Sequence, residues 1–213
     1  MTSIDTYKIL LLGAGGVGKT SFIRALMGKE FDKKYIMTMG VQVDPIRLQS
    51  SISYYLPDKE HWCANIWDCA GQEKFKGLGD GYYIQAQAAI FAFDLSDENS
   101  LSNLKSWVSE CWRVTGNIPY VIVGMKSEIR KIPKEKVLKI IGCEASYVEI
   151  SSKTGHNIDQ PLLSLRRQLK RAAQANINPE PPRIKAVSPN LNIASIEQER
   201  IDRIGGELAR SNL

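Results

Sequence analysis

Residues 13 to 20 read Gly-Ala-Gly-Gly-Val-Gly-Lys-Thr, directly after the apolar run Ile9-Leu10-Leu11-Leu12. Glycines at this spacing let consecutive backbone N–H groups wrap an anion, and a helix starting there adds the positive end of its dipole. The octapeptide fits the phosphate-loop pattern G-x-x-x-x-G-K-[ST]. The competing reading, a glycine-rich turn that holds nothing, is weakened by the strand signal before it and the helix signal after it. The loop predicts that Gly15, Gly16, Val17, Gly18 and Ser21 lie around phosphate, with Lys19 reaching its β and γ groups. Thr20 offers a hydroxyl to Mg²⁺, a hard cation that prefers oxygen ligands.

Such a loop demands a strand–turn–helix setting, and the rest of the chain supplies it. Apolar runs alternate with segments of helical period to about residue 174, the signature of βαβ units around a parallel sheet. Strands are expected at Tyr7–Leu12, Val41–Leu48, Trp62–Trp67, Ala88–Phe93, Tyr120–Gly124 and Ser146–Ile150. Helices are expected at roughly 18–28, 100–115, 133–141 and 156–173. Residues 1–174 therefore read as one α/β domain of P-loop type. In 175–192, Pro179, Pro181, Pro182 and Pro189 make a stiff linker. In 193–213, Ile193, Ile196, Ile201, Ile204 and Leu208 recur at helical spacing, predicting a short amphipathic helix and tail.

Composition excludes several classes. At 43% hydrophobic and 24% charged, the chain reads as globular rather than disordered. Its net charge of +5 is scattered, with no run resembling a nucleic-acid arm. No stretch approaches the ~20 apolar residues of a membrane span. Cys63, Cys69, Cys111 and Cys143 lack metal-ligand spacing and read as reduced thiols.

A second motif, Asp68-Cys69-Ala70-Gly71-Gln72, follows the expected strand Trp62–Trp67 and so projects from a carboxyl end, where α/β proteins bind ligands. Asp68 is placed to hold Mg²⁺ through water. Gly71 lets a backbone N–H approach a γ-phosphate, and Gln72 is placed to orient the attacking water. Between the two motifs, the polar segment 29–40 carries Tyr35 and Thr38 and is long enough to close over a phosphate and release it. Thr38 in isolation is an ordinary loop threonine; its position between two phosphate motifs makes it a third candidate Mg²⁺ ligand.

Glu30-Phe31-Asp32-Lys33-Lys34-Tyr35, Trp67 to Phe75 and above all Gly81-Tyr82-Tyr83-Ile84-Gln85-Ala86-Gln87 resemble the Ran subfamily of small, Ras-like GTPases, as a divergent member. The resemblance runs from about residue 6 to 174 and includes the linker-and-helix tail. It implies a GTP- and GDP-binding switch with Mg²⁺, slow in hydrolysis until an activating protein completes the site. Gln72, Lys19 and Tyr35 are its catalytic candidates, and Phe31 covers an edge of the base or ribose. It implies nuclear transport receptors (importin-β-like proteins and exportins), a GTPase-activating protein and an exchange factor as partners, and a monomer shared between nucleus and cytoplasm. Ras, Rho and Rab proteins usually end in prenylated cysteines; here the last cysteine is Cys143, so no membrane anchor is expected.

The departures are equally specific. Gly124-Met125-Lys126-Ser127-Glu128 stands where the family carries Asn-Lys-x-Asp. The resemblance implies that Glu128 offers guanine its carboxylate one methylene further out, that Lys126 stacks on the ring, and that Met125 cannot make the asparagine's tie to the phosphate loop. Ile150-Ser151-Ser152-Lys153 resembles the third base element. The basic stretch and acidic C-terminus by which Ran proteins meet their partners are absent. The alternative reading is a non-hydrolysing or weakly binding pseudo-GTPase scaffold.

Overall fold

Apolar runs without alternation belong in strands covered on both faces, and Ala88–Asp94 and Tyr120–Met125 are buried at every position. The computed structural model describes residues 5–32, 38, 40–47, 62–69, 80–142 and 146–175. Six strands make one sheet: β1 (Asp5–Leu12), β2 (Val41–Arg47), β3 (Trp62–Cys69), β4 (Ala88–Asp94), β5 (Tyr120–Met125) and β6 (Tyr147–Glu149). Their order is β2-β3-β1-β4-β5-β6. Only the β2–β3 pair is antiparallel, and Pro45, which has no N–H to give a ladder, lies in β2 at the sheet edge.

Period-two alternation splits β1 between two cores. Ile9 and Leu11 join Phe22 and Ile23 of α1 (Lys19–Leu26) and Leu162, Leu165 and Leu169 of α5 (Gln160–Ala175) on one face. Leu10 and Leu12 join the other core. There they meet Leu101 of α2 (Glu98–Ser102), Leu104, Val108 and Cys111 of α3 (Leu104–Thr115), and Val137, Ile140 and Ile141 of α4 (Lys134–Ile141). This is the expected Ras-like P-loop architecture, a six-stranded, mostly parallel sheet flanked by helices.

Most element ends shift by a few residues from the sequence reading: β1 begins at Asp5, β6 spans only Tyr147–Glu149 and the last helix begins at Gln160. Two shifts bear on the site. The single helix expected at 100–115 starts earlier, at Glu98, because the Asp97 carboxylate caps the Asn99 N–H at 3.0 Å. It also divides at Asn103, where Ser102 Oγ donates to Glu98 O and Ser106 Oγ to Asn103 O; serine hydroxyls on helix carbonyls compete with the backbone ladder. The third strand runs on to Cys69 because β2 continues to pair with it, Gln42 opposite Asp68 and Val41 opposite Cys69. Asp68 is therefore held inside a ladder rather than beyond it.

Cys63, Cys69 and Cys111 are free thiols. Burial pushes Cys69 up to about 12 and Cys111 to about 11, which makes both poor nucleophiles at neutral pH. No described helix is long and apolar enough to cross a membrane. The linker and helix expected after residue 175 lie outside the described residues, as do Tyr35, Gly71, Gln72 and Cys143.

Candidate nucleotide site

The parallel strands deliver their carboxyl ends to one edge of the sheet, and the chain direction across the sheet reverses at β1, between β3 and β4. Open α/β sheets bind ligands at such a switch point. Leu12 leads there into Gly13–Gly18, Asp68 lies one strand away opposite Leu11, and Asp94 and Met125 pair with each other at the ends of β4 and β5.

The phosphate loop turns because its glycines permit it. Gly16 and Gly18 have φ of 76° and 109°, conformations that cost an L-residue energy. Gly13 passes so close to β4 that a Cβ there would lie 2.2 Å from Ala92 O. Gly18 caps α1 with no side-chain hydrogen bond, and the first helix bond runs from Phe22 N to Gly18 O at 2.9 Å. The N–H groups of the first turn, Lys19 to Ser21, therefore open from the helix end toward the loop. Gly15 and Gly16 are exposed, Val17 is buried in the core and Ser21 is half-buried.

Lys19 is 6% exposed, and its Nζ donates to Gly13 O at 2.9 Å and Ala14 O at 3.1 Å. The ammonium is folded back over its own loop. Burial lowers the Lys19 pKa, opposed by the Asp68 charge. Asp68 is fully buried, and burial raises its pKa against the Thr20 hydrogen bond and the Lys19 charge, with Asp44 adding to the rise.

Thr20 Oγ1 joins the remaining members, donating to Asp68 Oδ2 at 2.6 Å and lying 2.9 Å from Thr38 Oγ1. Asp68 Oδ1 is buried and has no hydrogen-bond partner among the described residues, a costly state for a carboxylate oxygen. One unmatched carboxylate oxygen beside two threonine hydroxyls is a donor set that suits a hard divalent cation. Thr20, Thr38 and Asp68 would hold Mg²⁺, and the bound ion would neutralise phosphate charge.

The base end is built from different material. Met125 is 1% exposed and packs in the core with Val17, Val123 and Ile150. Lys126 follows in a left-handed conformation, φ 58° and ψ 45°. Its Nζ donates to Gly16 O at 2.8 Å and to Asp94 Oδ2 at 2.7 Å, and its Cε lies 3.8 Å from where a Cβ on Gly18 would stand. Glu128 is exposed within the 3-10 turn Ser127–Ile129, and Phe31 is 43% exposed. Ser127 N donates to Ile150 O and Ile150 N to Gly124 O, which seats the base loop beside Ser151, Ser152 and Lys153. Ser151 is fully buried and its Oγ accepts from Thr154 N at 3.0 Å; Ser152 is half-buried and Lys153 exposed.

Five residues of this end escape a motif search: Asp94, Ser96, Arg130, Tyr147 and Glu149. Asp94 Oδ1 accepts from Ser96 N at 2.8 Å and Ser96 Oγ at 2.7 Å. Arg130 is paired with Glu149, which also accepts from Tyr147 Oη at 2.9 Å. The available signal is positional: each carboxylate sits at the carboxyl end of an apolar strand, where a charge without a ligand-side task is unexpected.

The Gly81–Gln87 stretch leads into the amino end of β4, at the edge of the sheet opposite the phosphate loop. A 3-10 turn over Asp80–Tyr82 is followed by Gln85 at φ 61°. Lys8 of β1 clasps this turn, its Nζ donating to Ile84 O at 2.8 Å and its N–H to Gln87 Oε1 at 2.9 Å. The same ammonium stands 3.8 Å from the centre of the Trp67 ring.

Residues 8–171 match the family model described as Ras, well over half of the 213 residues. The chain belongs to the Ras family, small GTPase switches that bind GTP or GDP with Mg²⁺.

Proposed function

We propose that this chain is a Ran-like GTPase that binds and hydrolyses GTP and serves as a switch in nucleocytoplasmic transport. The observation that carries the switch chemistry is the convergence of Lys19, Thr20, Thr38 and Asp68, with a buried carboxylate oxygen unmatched beside two hydroxyls. Thr38 of segment 29–40 meets Thr20 at 2.9 Å; in this reading the metal and γ-phosphate order the segment and hydrolysis releases it. Gln72 orients the water, and Tyr35 restrains Gln72.

The transport role rests on the Gly81–Gln87 resemblance. Importin-β-like receptors and exportins bind the GTP form, an activating protein and an exchange factor run the cycle, and the monomer works in nucleus and cytoplasm. Met125 favours the second reading, a pseudo-GTPase scaffold, since a buried thioether makes none of the asparagine's hydrogen bonds.

The test is to denature purified protein and identify released nucleotide by chromatography, then to follow single-turnover GTP hydrolysis and GTP-dependent capture of an importin-β-like receptor. Near-stoichiometric guanine nucleotide, hydrolysis lost in Gln72→Leu, and capture only with GTP support the proposal. Empty protein that fills only as Met125→Asn with Glu128→Asp supports the scaffold.

A further inference from the structure

The base loop must be tied to the phosphate loop so that one end of a nucleotide is not read independently of the other. Met125, buried in apolar surroundings, offers no polar group for that tie. Among the described contacts, the one that spans the two loops is Lys126 Nζ to Gly16 O at 2.8 Å. A lysine on a flexible stem does not hold one carbonyl by itself, since its four-carbon chain has many rotamers to lose. Here the ammonium is also pinned by Asp94 Oδ2 at 2.7 Å.

Asp94 is well placed to pin it. The carboxylate is 6% exposed. Its other oxygen accepts from the Ser96 N–H and hydroxyl. Its backbone is fixed through Ser100 of α2, whose Oγ accepts from Asp94 N at 2.9 Å and lies 3.2 Å from Asp94 O. The Asp94 side chain thus has fixed geometry before the lysine meets it.

We propose that Asp94 is a positioning residue for nucleotide binding: it holds Lys126 on the Gly16 carbonyl and so supplies the loop-to-loop tie that Met125 cannot make. The proposal rests on the guanine-nucleotide reading of the site. Asp94→Asn is a clean probe, because its amide oxygen keeps the Ser96 contacts while its NH₂ turns a donor toward the ammonium.

The experiment measures release of a fluorescent GDP analogue from the full chain with Mg²⁺ present, alongside the melting temperature. Asp94→Asn should release nucleotide roughly tenfold to a hundredfold faster, the range for losing a hydrogen bond to a charged group. In a Lys126→Met background the same change should add less than about twofold, since coupled residues are not additive. In a Met125→Asn background, where the asparagine tie is restored, the Asp94→Asn effect should shrink. A merely structural role would give equal effects in all three backgrounds and would overturn the proposal, as would wild-type release from Asp94→Asn. If Asp94→Asn does not fold, Lys126→Met carries the test: acceleration matching the predicted range supports the tie, and unchanged release overturns it. Failure of the parent protein to bind any guanine nucleotide would instead remove the underlying reading.

Discussion

The two ends of the nucleotide site differ in how their charges are satisfied. At the phosphate end Lys19 folds onto the carbonyls of its own loop and Asp68 keeps one buried oxygen without a donor. At the base end Lys126 is matched by Asp94 and Arg130 by Glu149, while Met125 is absorbed into the core. A group whose best partner is absent stores interaction energy for a ligand, whereas a satisfied group has little left to give. The phosphate end is thus poised for an anion with its cation. The base end is a braced frame, which presents Glu128 at its surface.

The sharpest way to break this contrast is Lys19→Met. It leaves the phosphate without its ammonium and should weaken GDP binding by roughly a hundredfold, about 3 kcal/mol for a charge-assisted contact, as read by calorimetry. If affinity changes less than tenfold, the phosphate end is not where binding energy concentrates.

Two glycines compare the ends directly in stability. Gly13→Ala drives a Cβ against the backbone oxygen of Ala92, which cannot move without β4, and should cost about 3 kcal/mol. Gly124→Ala meets Tyr147 Oη at 2.8 Å and Leu95 Cγ at 3.0 Å, side chains that can turn aside, and should cost about 1 kcal/mol. Urea unfolding of the two variants reads the difference, and equal costs would show that the base end is as rigid as the phosphate loop.

Met125→Asn sharpens the comparison by pulling stability and recognition apart. It exchanges a buried thioether for an amide, so the nucleotide-free protein should lose about 2 kcal/mol. Preference for GDP over ADP should rise in competition binding, because the amide restores the missing tie. A variant that loses stability with no gain in preference would show that the Lys126 tie is sufficient alone. Glu128→Asp should be smallest of all in stability, within about 0.5 kcal/mol for an exposed position, and visible only as altered GDP-to-ADP preference. A melting temperature that moves with it would mean that Glu128 braces the loop rather than facing the base.

The phosphate end was legible in the chain because its requirements are local. Gly13–Thr20 needs glycines at fixed spacing, a strand before and a helix after, and all of these lie within some twenty contiguous residues. Asp68 was also legible, though its strand extends to Cys69 because β2 pairs along it. Asp94 was not, since an aspartate at the end of β4 takes its meaning from a lysine 32 positions later. Glu149 escaped for the same reason, its partner Arg130 lying on a different connection. The division of the 100–115 helix at Asn103 depended on serine hydroxyls that choose their carbonyls only once the turn exists.

By itself, then, the sequence determined the order of most strands and helices, the α/β class and the glycine loop between β1 and α1, because periodicity and turn chemistry are written between near neighbours. Only the tertiary structure decided that Thr20, Thr38 and Asp68 meet, that Asp68 keeps an unmatched oxygen, and that Lys126 bridges Gly16 and Asp94. Those contacts join the strand ends of β3 and β4 to the loops and the helix that follow β1 and β5. A parallel pairing brings together residues far apart in the chain, and a carboxylate's partners are set by which strand ends beside it.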